Sequence, residues 1–164
     1  MPVTVRPATH EDLPAIVALY NDAVANTTAI WNDATDDVAN RKAWFDARVA
    51  QGYPVLVAED DGAFAGYGTF GDFRPFDGYR YSVEHSVYVT EAARRKGVAT
   101  ALIAALAERA RALGKHTMIA GIAADNAGSI ALHARLGFVE TGRMPEVGHK
   151  FGRYLDLVFM QKML

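Results

Sequence analysis

The chain contains no cysteine. Disulfides, a thiol nucleophile and thiolate metal sites are therefore excluded from its chemistry. It also lacks the strong positive charge of a nucleic-acid binder: 17 Lys and Arg against 19 Asp and Glu leave a formal net charge of −2, so no nucleic-acid partner is expected. The five histidines show no HxH or HxxxH spacing, and no metal is expected. The longest apolar run, Ala101 to Ala107, is far short of the roughly 20 residues of a membrane-spanning helix, so no membrane partner is expected. The opening "MPVTVRPATHEDL" has no basic segment followed by an apolar one; no signal peptide is expected, and the default location is cytoplasmic. GxxxxGK(S/T) does not occur, which removes the P-loop type of nucleotide site,.

What remains is ordinary for one soluble domain spanning residues 1–164: 51% hydrophobic and 22% charged residues, with no linker or internal repeat,. "VTVRPA" reads as a strand. Thr9, with Asp12 three residues on, marks the start of a helix over about 10–25. Thr35 and two aspartates mark a second helix, carrying Val38, Trp44 and Phe45 and stopping near Gly52. The period then changes to two. "PVLVAEDDGAFAGYGTF" is a hairpin around Asp60-Asp61-Gly62. "RYSVEHSVYV" is a strand, and a helix with Leu102, Leu106 and Leu113 on one face closes at Gly114. "HTMIAGIAA" is a buried strand, "NAGSIALHARLG" a short helix, and "RYLDLVFMQKM" a final strand. The expected fold class is α/β (α+β), a mixed, mainly antiparallel sheet flanked by helices in the order βααβββαβαββ.

"RRKGVATALIAAL", residues 94–106, sets three cations and a glycine in front of an apolar helix. Glycine lets backbone N–H groups turn toward a ligand. A helix N-terminus adds unpaired donors and partial positive charge. Together they suit a compact polyanion such as a pyrophosphate. The alternative is a solvated charge cluster with Gly97 as a simple turn; spacing alone does not separate the two.

Arg94-x-x-Gly97-x-Ala99 matches the (Q/R)xxGx(G/A) signature of the GCN5-related N-acetyltransferase (GNAT) family, and "NAGSIALHARLGF", Asn126 to Phe138, resembles its second motif. The resemblance covers essentially the whole chain. It implies a GNAT fold with acetyl-CoA as co-substrate. Its pyrophosphate would lie on Arg94, Arg95, Lys96, Gly97, Val98, Ala99 and Thr100. Its pantetheine arm would pair with the backbone of Val87, Tyr88 and Val89, with Asn126 and Ser129 further along. Within the family, "AIWND", "FRPFDGYRYSVEHSVYV" and "HKFGRYLDL" are most similar to the phosphinothricin and L-methionine sulfoximine (methionine sulfone) acetyltransferases. That branch implies a small amino-acid analogue as partner, acetylation of its α-amino group in detoxification, and a homodimer.

An amine that attacks a thioester must first lose a proton, and a positioned base is worth ~10²- to 10⁴-fold. Strand alternation puts Glu84, Ser86 and Tyr88 on one face and His85, Val87 and Val89 on the other. Burial would raise Glu84 toward a useful basicity; the resemblance makes it the base, and the plain alternative is a solvated strand-edge glutamate. His85 either assists or is a core histidine. His133 stands where many relatives have tyrosine, so it is either the acid for the departing thiolate or packed and inert. Arg74 and Arg80 suit a substrate carboxylate. By resemblance Pro75, Phe76 and Asp77, then Glu84, His85 and Ser86, line the acceptor pocket. Trp31 and Phe76 would flank an apolar side chain, and Lys150 lies in a segment that reaches a partner subunit. The competing functions are acetylation of peptides or proteins, and a non-catalytic acetyl-CoA sensor.

Overall fold

The computed structural model describes residues 2–164. In chain order the elements are β1 (Val3–Pro7), α1 (Leu13–Asn26), α2 (Val38–Ala50), β2 (Val55–Asp60), β3 (Ala63–Asp72), β4 (Ser82–Val89), α3 (Val98–Ala112), β5 (Thr117–Ala123), α4 (Ala127–Arg135), β6 (Val139–Lys150) and β7 (Arg153–Met163). This is the order read from the sequence. The strands form one seven-stranded sheet, β1-β2-β3-β4-β5-β7-β6. Every neighbouring pair is antiparallel except β4 and β5. The crossover helix α3 makes that single parallel pair possible.

Strand alternation divides the core in two. Val55, Val57 and Tyr67 face Leu13, Ile16 and Phe45 of α1 and α2. Leu56, Phe70, Val83 and Met118 face Leu102 and Leu106 of α3. Residues Val55 to Ala58 are all buried, because helices cover both faces of the sheet,.

Local signals account for the boundaries. Asp12 accepts the Thr9 N–H at 2.8 Å, so the cap falls where expected, although His10–Asp12 is a 3-10 turn and the α-helix proper begins at Leu13. The second helix starts later than Thr35 suggests. Asp37 caps it, accepting the Asn40 N–H at 2.8 Å, while Asp36 is taken by the buried Arg41 at 2.8 Å. Asp61 and Gly62 both adopt positive φ, 52° and 78°, the geometry a two-residue hairpin turn requires. Strand β6 is irregular, with register shifts at Glu140/Gly142 and Met144/Gly148.

Candidate active site

Only three residue pairs join β4 to β5: Ser82 with Thr117, Val83 with Met118 and Glu84 with Ile119. Beyond Glu84 the two strands part. One edge of β4 stays bonded to β3 as far as Val89, while the other faces open space. The opening is a cavity of about 240 Å³, walled by Glu84 to Tyr88, by Ala120 to Ala123, and by Asn126, Ser129 and His133 of α4. Because it cuts through the sheet, side chains from both faces of β4 reach it. Glu84 and His85 therefore meet one cavity although they point to opposite sides of the strand.

Glu84 is half-buried, and desolvation raises its carboxyl above the usual range, with the positive charge of Arg74 opposing,. His85 and His133 are buried and their Nε2 atoms lie 3.0 Å apart. His85 Nδ1 is 3.2 Å from the Ile119 carbonyl oxygen; His133 Nδ1 is 2.7 Å from the Ser129 carbonyl oxygen. Burial, reinforced by His133, pushes His85 down to about 3. Burial lowers His133 as well.

The loop before α3 has the backbone its composition suggests. Arg95 has φ 62° and Gly97 φ 80°, which turns the chain so that the helix start faces outward. The first helical bond at this end is Ala101 N–H to Gly97 C=O at 3.0 Å. The N–H groups of Val98, Ala99 and Thr100 thus point out of the helix end without intrahelical acceptors. They border a cavity of about 470 Å³, with Arg94, Arg95 and Arg135 at its rim. A groove of about 670 Å³ runs along Val87 to Val89 and past Asn126, Ser129 and Leu132, linking the loop to the gap in the sheet. Asn126 also fixes the start of α4, its Oδ1 accepting the Ser129 N–H at 3.1 Å. A free strand edge leading from a ring of unpaired N–H donors suits a chain of amides ending in a pyrophosphate, which is the chemistry of acetyl-CoA.

The residues expected at the site divide into those the cavity gathers and those it does not. Glu84, His85, Ser86, Val87, Tyr88, Asn126, Ser129 and His133 all line it. Lys96 does not join the loop's other cations: its ammonium pairs with Asp60 at 2.8 Å, drawn across to the β2–β3 turn. Trp31 does not flank the cavity either. Its ring lies on Gly148, where a Cβ would overlap it, and its Nε1 donates to Thr28 C=O at 2.8 Å. Lys150 is buried within its own chain, donating to the carbonyls of Thr27 (2.6 Å) and Ile30, where α1 ends and carbonyls point outward. Arg80 is exposed, donates to Asp77 C=O at 2.8 Å and stacks on Tyr81. Pro75, Phe76 and Asp77 are exposed beside it, Phe76 by 69%. Of that loop, Arg74 alone acts on the cavity, through its charge on Glu84.

Four contributors escaped the sequence reading. Arg135 supplies a loop cation from α4, and Thr28 and Ala29 wall the cavity from the turn after α1. Gly121 leaves room for Glu84: a Cβ there would stand 3.2 Å from Oε2. A glycine inside a buried strand was its available signal.

Comparisons with known proteins agree with this architecture. Residues 16–138 match the acetyltransferase (GNAT) family. The chain is 59% identical over 162 residues to an L-methionine sulfoximine/L-methionine sulfone acetyltransferase of Pseudomonas paraeruginosa, covering 98% of this chain and 94% of that protein. It is 38% identical to a phosphinothricin N-acetyltransferase of Alcaligenes faecalis, covering 98% and 82% respectively. The structure of yncA from Salmonella typhimurium, solved with its cofactor acetyl-CoA, superposes with a TM-score of 0.96 at 55% identity, covering 99% of this chain and 94% of that one. With the parted strands, the loop before α3 and the Asn126 turn all inside the matched region, the chain belongs to the acetyltransferase (GNAT) family.

Proposed function

We propose that the protein transfers the acetyl group of acetyl-CoA to the α-amino group of a small amino-acid analogue such as L-methionine sulfoximine, L-methionine sulfone or phosphinothricin. The observation that carries this is the gap between β4 and β5: it places a half-buried carboxyl, Glu84, at the end of a groove that begins at the loop of free N–H donors. The acceptor class rests on the names of the relatives above. A cavity of about 240 Å³ beside Glu84 suits a compact acceptor better than a folded chain.

Glu84 takes the first proton from the ammonium, and its raised affinity for protons suits it to that task,. The freed amine attacks the thioester carbonyl. Backbone N–H groups on the open edge of Val87 to Val89 stabilise the negative charge on the carbonyl oxygen. The N–H groups of Val98 to Thr100, with Arg94 and Arg95, hold the pyrophosphate. Arg74 steers the substrate carboxylate from the rim. The enzyme works in the cytoplasm as a homodimer; the exposed apolar side chains Val139, Met144, Val147, Phe151 and Tyr154 on β6, β7 and the turn between them supply a surface for the second copy.

Release of free thiol from acetyl-CoA, measured against these three analogues, ordinary amino acids and short peptides, tests the proposal. Turnover on the analogues that is lost in Glu84→Ala is the expected result. Turnover on peptides alone would replace the acceptor class. Binding without turnover on any acceptor would make the protein an acetyl-CoA sensor.

A further inference from the structure

The hydrogen bonds of His85 and His133 do not balance for two neutral rings. A carbonyl oxygen cannot donate, so each Nδ1 facing a carbonyl needs its own proton: one on His85 toward Ile119, one on His133 toward Ser129. The contact between the two Nε2 atoms, 3.0 Å long, needs a third. Two neutral imidazoles carry two protons. Three hydrogen bonds are therefore laid out for a pair with one proton more than neutral. In the neutral pair one of them must lapse; at His133 Nδ1 the Ser129 hydroxyl, 3.3 Å away, can donate in its place, so this nitrogen is where the third proton enters and leaves.

We propose that His85 and His133 act as one proton carrier, which receives the second proton of the acceptor nitrogen and passes it to the departing sulfur. The inference rests on the acetyl-transfer reading given above. In the balanced sequence Glu84 removes the first proton and the N–C bond forms. The nitrogen's remaining excess proton moves to the pair, completing its third hydrogen bond. The C–S bond breaks with its electrons going to sulfur, and the pair returns to neutral by protonating that sulfur. The products are the amide, the free thiol and a protonated Glu84, which loses its proton to water.

Several observations favour a carrier over a packed pair. His133 lines the cavity, as do His85 and the Ser129 hydroxyl, whose Oγ lies 3.3 Å from His133 Nδ1. Around the rings, β3 presents Phe70, β5 presents the Ile119 carbonyl and the start of β6 is preceded by Phe138. No charged side chain hydrogen-bonds to either ring among the described residues, and the other ionisable groups lining the cavity are Glu84 and Tyr88. In such surroundings an imidazolium is a strong acid and gives up its proton readily. His133 is the group that meets the reacting atoms; His85 is a positioning residue that acts through it.

Two experiments test the pair. In the first, the full-length protein is labelled with ¹⁵N-histidine and followed by NMR as the pH is lowered. A carrier takes up one proton, seen at both rings with a common midpoint, before the fold is lost. Independent midpoints, or two rings still neutral when the fold is lost, would overturn it. In the second, kcat is measured for His85→Gln, His133→Gln and the double variant. Each single change should lower kcat about 10²-fold with the KM for acetyl-CoA unchanged, and the double variant should be no worse than the slower single one. Multiplying losses, or a normal kcat in His85→Gln, would sink the carrier while leaving the acetyltransferase intact. Absence of turnover on every acceptor would instead sink the parent reading, and the NMR titration would still judge the pair.

Discussion

Glu84 of β4 leans across the parted strands onto the bare backbone of Gly121 in β5. A Cβ at position 121 would stand 3.2 Å from Glu84 Oε2, with Leu157 and Phe159 closing the space behind it. The two residues belong to the last stretch where the strands still lie close: Glu84 pairs with Ile119, two residues before Gly121. The missing side chain thus sets where the carboxylate rests, and the parting of the strands sets what it faces.

Gly121→Ala is accordingly a probe of the proposed base's position. The new methyl group meets the mobile end of a glutamate, so the fold should tolerate it while the carboxylate shifts. Misplacement on the ångström scale costs up to about 10²-fold in rate. Steady-state kinetics should show a kcat reduced about 10- to 100-fold, with coenzyme A affinity by calorimetry unchanged. An unaltered kcat would mean that the resting place of Glu84 is irrelevant to turnover.

Replacing the carboxyl itself should separate stability from function. Burial raises the proton affinity of Glu84 in the folded state, so the folded protein holds this proton to higher pH than the unfolded chain. Its contribution to stability is greatest at low pH and declines as pH rises through the ordinary carboxyl range toward the raised folded value. Above that raised value the ionised Glu84 is a net cost,. Glu84→Gln should then be as stable as the parent or more so in urea at pH 7, while losing ~10²- to 10⁴-fold in kcat. A marked loss of stability would show that Glu84 is a structural residue.

The histidine pair carries a pH dependence of the opposite kind. The folded value of His85 lies near 3 against an ordinary 6.5, so below pH 6.5 the unfolded chain binds a proton that the folded one refuses. Stability should fall as pH drops from about 6.5 toward 3, by ~1.4 kcal/mol per pH unit for a single such group. His133, also lowered by burial, adds to the slope. Urea melts between pH 7 and pH 4 should show a shallower decline in His85→Gln than in the parent. Equal slopes would place the acid sensitivity elsewhere.

The parts legible in the sequence are those set by neighbours in the chain. The order of elements, the face of β4 that carries Glu84 and the turn at Asp61-Gly62 follow from periodicity and local backbone preference. The loop at Arg94 to Thr100 was visible because one glycine and the following helix build it. What stayed hidden depends on separate elements meeting. Lys96 looks like a loop cation until the hairpin brings Asp60 within 2.8 Å. Trp31 looks like a pocket wall until β6 offers Gly148 as a flat seat. The proton count of His85 and His133 needs the Ile119 carbonyl, 34 residues from one ring, and the Ser129 carbonyl one helical turn before the other.

Lys150 gives the sharpest case of a residue whose role the fold reassigns. Its ammonium is buried at the end of β6, without a carboxylate partner, and bonds the carbonyls of Thr27 and Ile30. The residues between those carbonyls include Thr28 and Ala29, which wall the cavity. The clamp therefore ties the β6–β7 hairpin to one side of the acceptor site. Lys150→Met keeps most of the packed stem but strips both carbonyls of a donor in a buried setting, at a cost of about 2–4 kcal/mol. The loosened turn should raise the KM for the acceptor amine more than it lowers kcat, because Thr28 and Ala29 contribute shape rather than chemistry. Lys150→Arg, whose larger fork does not fit between two carbonyls this close, should not restore the parent. Urea melts with acceptor kinetics on both variants decide the matter: a stable Lys150→Met enzyme with an unchanged acceptor KM would show that the buried ammonium holds nothing in place.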